Sequence, residues 1–123
     1  MSPVIPRLKR RPQFLRVAGT RRKWVAPGLI VQARLRPDDD REAVPQDSAR
    51  IGFTVSKKVG NAVERNRARR RLRAAVDEVV PFHARKGFDF VVIGRAATIK
   101  RPYTKLVDDL RTALKRLDAY RDA

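Results

Sequence analysis

The sequence predicts a single α+β domain in the order α-β-β-β-α-β-α, with a four-stranded sheet packed with helices. Three observations predict it. The chain has 123 residues, 42% of them hydrophobic, which suits one modest core. Apolar residues alternate over 29–36 and 50–56, recur at helical spacing over 61–80 and 103–120, and run almost unbroken over 88–94. Strands follow one another in the first half, whereas the second half reads strand, helix, strand. Residues 1–123 are therefore treated as one domain, with flexible ends expected at 1–6 and 121–123 and an acidic loop at 37–49.

A short helix is expected to open at Pro12, because the first helical position needs no N–H. It carries Phe14, Leu15, Val17 and Ala18 and is expected to stop at Gly19, a residue that terminates helices readily. A weak strand at Lys23–Val25 precedes the turn at Pro27-Gly28. The second strand, about Leu29 to Arg36, places Leu29, Val31, Ala33 and Leu35 on one face and Ile30, Gln32, Arg34 and Arg36 on the other. The third, Arg50 to Ser56, has Ile51, Phe53 and Val55 on one face. Its other face holds Gly52, Thr54 and Ser56, small residues that leave room for something to lie on them.

A long helix starts at Asn61, a favoured N-cap, with Glu64 three residues later in capping-box position. Gly60 lets the chain turn into it. Leu72, Ala75, Val76 and Val79 form its apolar stripe, and it is expected to end before Pro81. Phe88–Gly94 reads as a strand buried on both faces. The last helix, about Tyr103 to Tyr120, shows a stripe of Tyr103, Leu106, Val107, Leu110, Ala113, Leu114 and Leu117.

Thirty Lys and Arg against thirteen Asp and Glu give a net charge of +17, which points to a polyanionic partner and away from a neutral metabolite. With no Cys there is no disulfide, thiol nucleophile or Cys-type zinc site. No apolar run is long enough to span a membrane, and no apolar segment follows the basic N-terminus as in a signal peptide, so a cytoplasmic protein is expected. The charge is also segregated. Residues 1–36 contain ten Lys or Arg and no acid, whereas Asp38, Asp39, Asp40, Glu42 and Asp47 crowd one Pro-bounded segment. The triple Asp could suggest a metal cluster, but without a His or second carboxylate pair a solvated loop is the better reading. His83, the single histidine, reads as an exposed loop residue in preference to a general base.

Six Arg fall within residues 65–73. At about 100° per residue, Arg65, Arg69, Arg73, Asn66 and Arg70 sweep round from the edge of the apolar stripe, and Arg67 and Arg71 extend the arc. Like charges meet at 65/69, 67/71, 69/73, 67/70 and 70/73. At about 0.2–0.5 kcal/mol each, these pairs oppose the helix by roughly 1–2.5 kcal/mol. Arg65 and Arg67 also stand at the positive end of the helix dipole. A helix serving stability alone would mix its signs, so the arc is read as a polyanion-binding face and not merely a solvated one. Arginine's planar fork suits phosphate and stacks on bases, which favours nucleic acid over lipid, and Asn66 adds a group suited to base or sugar edges.

Ser56-Lys57-Lys58-Val59-Gly60-Asn61-Ala62-Val63-Glu64-Arg65-Asn66-Arg67, followed by Arg69, Arg70, Leu72 and Arg73, resembles the signature of the bacterial ribonuclease P protein subunit family. Arg7-Leu8-Lys9 with Phe14, Gly52-Phe53-Thr54-Val55 and Phe88–Ile93 extend the resemblance over about residues 7–118. The resemblance implies the same element order with a left-handed β-α-β crossover, where strand pattern alone predicts a right-handed one. It implies a holoenzyme that cuts precursor tRNA endonucleolytically at the mature 5′ end, with a large RNA as catalyst using Mg²⁺ and no cofactor or catalytic residue on the protein. On that resemblance, Lys57, Lys58, Asn61, Arg65, Asn66, Arg67, Arg69, Arg70, Arg71 and Arg73 are assigned to the catalytic RNA. Arg7, Lys9, Phe14, Arg16, Gln32, Arg34, Thr54 and Ser56 are assigned to a cleft for the 5′ leader of precursor tRNA. Phe14 would stack on a leader base or pack as core. The family commonly has further aromatics where this chain carries Ala18 and Gln32; Gln32 would then hydrogen-bond instead, and Trp24 would serve as a substitute platform or an apolar anchor. A structural ribosomal protein and a DNA-binding module are the alternative readings; membrane and DNA partners are not expected.

Overall fold

The computed structural model describes residues 5–37 and 48–122. Residues 1–4, the acidic segment 38–47 and residue 123 lie outside the described residues, and with them most of the expected acidic loop and part of the expected flexible ends. The elements are α1 (Arg11–Gly19), β1 (Lys23–Val25), β2 (Leu29–Leu35), β3 (Arg50–Thr54), α2 (Ala62–His83), β4 (Phe88–Gly94) and α3 (Tyr103–Arg116). The expected order of elements is the observed one. The strands form one mixed sheet in the order β1-β2-β4-β3, antiparallel except for the β3–β4 pair that α2 connects.

The sheet separates two apolar layers of unequal size. Leu29, Val31 and Ala33 of β2, Ile51 of β3 and Phe88, Phe90 and Val92 of β4 pack with the stripes of α2 and α3 in the main core. On the other face, Val91 of β4 packs with Leu8 and with Val17 of α1, joined by half-buried Phe14 and Ile93. β4 therefore has apolar partners on both sides, as its nearly continuous apolar run predicts. Residues 6–8 lie beside β3, with Leu8 N–H donating to Ile51 O at 2.9 Å and Ile51 N–H to Pro6 O at 3.0 Å.

Several boundaries differ from the sequence expectation. α2 runs through Pro81 to His83 instead of ending before the proline. Pro81 deprives only the Asp77 carbonyl of its helical donor, on the exposed side of the helix. The tail closes the last turn. Arg121 donates from its backbone to His83 O at 2.7 Å and from its guanidinium to Pro81 O at 2.9 Å and Ala84 O at 2.8 Å. His83 is accordingly a half-buried helix residue, its ring stacked on Tyr120 with centroids 5.0 Å apart, and not an exposed loop residue. α3 stops at Arg116, before the expected Tyr120, because Asp118 takes φ 55° and Ala119 N–H turns back to Leu114 O. α1 ends where expected, but the left-handed residue is Arg21 (φ 57°), not Gly19. β2 and β3 close at Leu35 and Thr54, slightly short of Arg36 and Ser56. Leu35 is 54% exposed despite its apolar face, since β1 flanks β2 only as far as Gln32.

One polar row runs through the face that carries α1. Register places Arg34, Asp89 and Arg50 side by side across β2, β4 and β3. Asp89 is 1% exposed. Arg50 grips it with Nε–Oδ1 at 2.8 Å and Nη2–Oδ2 at 2.7 Å, Arg36 Nη1 reaches Oδ1 at 2.8 Å, and Arg34 Nη1 stands 3.7 Å from Oδ2. Removing this carboxylate would break its buried ion pairs with Arg36 and Arg50. Asp89→Ala is expected to lower unfolding free energy by about 3–5 kcal/mol in urea denaturation.

Candidate nucleic-acid interface

The arginine arc begins at a well-capped helix start. Asn61 N–H donates to Glu64 Oε1 at 3.0 Å, and Glu64 N–H donates to Asn61 Oδ1 at 2.9 Å. Gly60, at φ 156° and ψ −164°, makes this possible: a Cβ there would stand 2.6 Å from the same Glu64 oxygen. Lys57 and Lys58 are exposed on the 3₁₀ turn just before it, anchored by buried Val59.

Ala68, Leu72, Ala75, Val76, Val79 and Val80 are the buried side of α2. Arg70 lies opposite that side, flanked by exposed Asn66, Arg67 and Arg73. Val63, Asn66, Arg69, Arg70 and Arg73 line an open hollow of about 470 Å³ along this crest. The arc's edges are partly engaged within the protein. Arg65 donates to Gly60 O at 2.9 Å, and Arg69 to Asn66 Oδ1 at 3.2 Å. Arg71 turns away from the crest: its Nε donates to Thr98 O at 2.9 Å and its Nη2 to Arg101 O. The six arginines are thus not equivalent, a distinction that needs the position of the segment 95–101, which periodicity does not supply.

The face with α1 divides into three cross-strand rows. Arg34–Asp89–Arg50 is the salt-bridged row. Gln32–Val91–Gly52 lies beneath α1, and Ile30–Ile93–Thr54 runs past it, with Ile30 and Ile93 half-buried and Thr54 exposed. The Phe14 ring sits directly on Gly52, where a Cβ would stand 2.6 Å from it. The space above the small-residue strand is therefore partly filled by the chain itself, and the part still open lies at Thr54, exposed Ser56 and the two isoleucines. Phe14 packs on Leu8, Val17 and Val91, as the core reading expects, and remains half-exposed. Gln32 is half-buried in the middle row, and Lys9 and Arg16 are exposed at and beside the start of α1.

Two expected members of the cleft are placed differently. Arg7 pairs with Ile51 and so points to the α2 and α3 face, where its guanidinium lies 5.0 Å from the Phe53 ring. Arg34 contributes to the Asp89 row. Trp24 is an apolar anchor packed on the main core beneath the Arg116 guanidinium, 5.2 Å from its ring. Sequence reading also missed Tyr103 as a surface group. Its spacing fits the α3 stripe, but it stands in the first turn and is 37% exposed. Its hydroxyl donates to Glu78 Oε2 at 2.8 Å. Burial of the phenol, then Glu78, pushes its pKa up to about 12.

A basic helical crest on one side of the sheet and an open strip beside a basic helix on the other define a small α+β RNA-binding protein. Among the described residues no helix is long and apolar enough to cross a membrane, and no group of three His, Cys, Asp or Glu could hold a metal ion. The sequence matches the Ribonuclease P family model over residues 3–118. The ribonuclease P protein component of Paramagnetospirillum magneticum is 60% identical over 119 residues, covering 97% of this chain and 87% of the relative. That of Gluconacetobacter diazotrophicus is 52% identical over 116 residues, 94% of each chain. The fold is shared with the RNase P protein of Staphylococcus aureus (24% identity, TM-score 0.73, 96% of this chain and 100% of that one). It is shared also with that of Thermotoga maritima (26% identity, TM-score 0.71, 89% and 96%). The chain belongs to the ribonuclease P protein family: it is a protein component of that endoribonuclease, and its partner is ribonuclease P RNA.

Arg70 and Arg71 are adjacent but should behave oppositely. Arg70→Ala is expected to weaken RNA binding and reduce the slope of log affinity against log salt by about one, with little change in thermal stability. Arg71→Ala should lower stability and leave that slope nearly unchanged. For Tyr103, the folded state holds the phenolic proton more tightly than the unfolded chain does. The associated stability is intact below the ordinary pKa of 10 and is lost as pH rises towards 12. Denaturation at a series of alkaline pH values should show a shallower decline for Tyr103→Phe across that window.

Proposed function

We propose that the protein holds two RNA segments at once, ribonuclease P RNA on α2 and the 5′ leader of precursor tRNA on the strip beside α1. The observation that carries this reading is the placement of α1 and α2 on opposite faces of one sheet. Two phosphate-rich chains bound there would be separated by the thickness of the sheet instead of competing for one patch. Arg67, Arg70 and Arg73 would neutralise phosphates of the large RNA, with Lys57 and Lys58 continuing the contact past the helix start.

Leader recognition would be largely independent of sequence. Lys9 and Arg16 supply charge at the rim, Thr54 and Ser56 hydroxyls and the Gln32 amide supply hydrogen bonds, and the half-exposed Phe14 offers a stacking surface. Base stacking of this kind contributes about 1–3 kcal/mol per base. The bond cleavage itself is assigned to the RNA, which would use Mg²⁺, in the cytoplasm where tRNA matures. The protein's contribution would be to raise affinity for precursor over mature tRNA and to lower the Mg²⁺ requirement by neutralising phosphate charge.

Reconstitution with the cognate RNA tests this reading. The protein alone should cleave nothing. With the RNA it should improve binding of a precursor bearing a leader of several nucleotides far more than one bearing a single nucleotide. Equal stimulation of both substrates, or cleavage by the protein without RNA, would be incompatible with the proposal.

A further inference from the structure

The groove between α2 and the first turn of α3 borders the arginine crest but has been assigned no occupant. Arg67, Arg70, Arg71, Ala74 and Tyr103 line about 290 Å³ of open space there. We propose that it receives an unpaired nucleobase of ribonuclease P RNA, stacked on the Tyr103 ring, with the flanking phosphates on Arg67 and Arg70. The proposal rests on the reading of α2 as the helix that faces this RNA, and it extends that contact onto α3.

Three features favour such an occupant. The groove is continuous with the arginine crest, since Arg70 lines both it and the neighbouring hollow. Its lining combines an exposed aromatic ring, two exposed guanidinium groups and the small Ala74, a set that matches a flat base joined to phosphates on either side. Finally, the ring is held before any ligand arrives. Its hydroxyl is tied to Glu78 at 2.8 Å. The backbone below it is tied to α2 by Arg71, whose guanidinium donates to the carbonyls of Thr98 and Arg101. Arg101 is in turn paired with buried Asp109 of α3, Nε to Oδ2 at 2.6 Å. A side chain already restrained by such bonds loses little freedom on stacking. Arg71 and Glu78 are positioning residues in this arrangement: neither is assigned a contact with the base.

The test uses the full-length protein and its cognate ribonuclease P RNA made by transcription in vitro. Tyr103→Leu removes the aromatic face without removing charge. It should weaken binding about five- to hundredfold and leave the salt slope unchanged. Tyr103→Phe keeps the ring, loses the Glu78 hydrogen bond and should bind within about twofold of the parent protein. Thermal melting of each variant establishes that it is folded. In the unsubstituted complex, zero-length ultraviolet crosslinking should place RNA on the peptide that carries Tyr103, a result that does not depend on any variant. Unaltered binding by Tyr103→Leu, equal losses in the Leu and Phe variants, or crosslinks that spare Tyr103 would each overturn the proposal. Arg70→Ala separates this from failure of the broader reading. If Arg70→Ala weakens binding while Tyr103→Leu does not, only the groove is wrong. If neither does, the assignment of α2 is wrong as well.

Discussion

The arrangement depends on one buried carboxylate. Asp89 lies near the start of the inner strand β4, and its two oxygens meet guanidinium groups from the strand on either side and from just past the end of β2. A neutral residue here would break the buried ion pairs that Arg36 and Arg50 make with it, and breaking a buried pair by removing one partner is strongly destabilising. With Asp89 in place, β2, β3 and β4 are linked side by side on the face that carries α1. The same row ties two buried arginines of this strongly basic chain into the folding of the domain.

The remaining charge is managed by geometry. α2 carries like charges at helical spacing that weaken an isolated helix. Three things offset this: the Asn61–Glu64 capping box, a continuous buried stripe from Ala68 to Val80, and the diversion of Arg71 to backbone carbonyls outside the helix. The cations that remain exposed at the crest are those with least access to internal acceptors. On the proposed reading, an unfavourable feature of the free protein would become favourable with phosphate bound, because the repulsion would be relieved and condensed counterions released.

Local signals in the sequence agree with the structure where the determining interaction is itself local. Asn61 and Glu64 are three residues apart and bond each other. Signals failed where a distant segment intervened. Pro81 reads as a helix end, yet Arg121 closes that turn from 40 residues away. Tyr103 fits the apolar stripe by spacing but lies in the first turn of α3, beside Glu78. Arg7 and Phe14 share one expected cleft, but alternation along residues 6–8, which run beside β3, sends Arg7 to the opposite face.

By itself, the sequence determined the element order, the strand faces, the location of the arginine arc and the resemblance that identifies the family. Those follow from periodicity, capping and motif, all of which act over a few residues. Tertiary structure alone decided which arginines face outward, which are held by Asp89 or by carbonyl groups, how far Phe14 fills the space over Gly52, and that α1 and α2 lie on opposite faces. These outcomes depend on strand register and on contacts between segments far apart in the chain, and no local pattern encodes which partner a long, flexible arginine will reach.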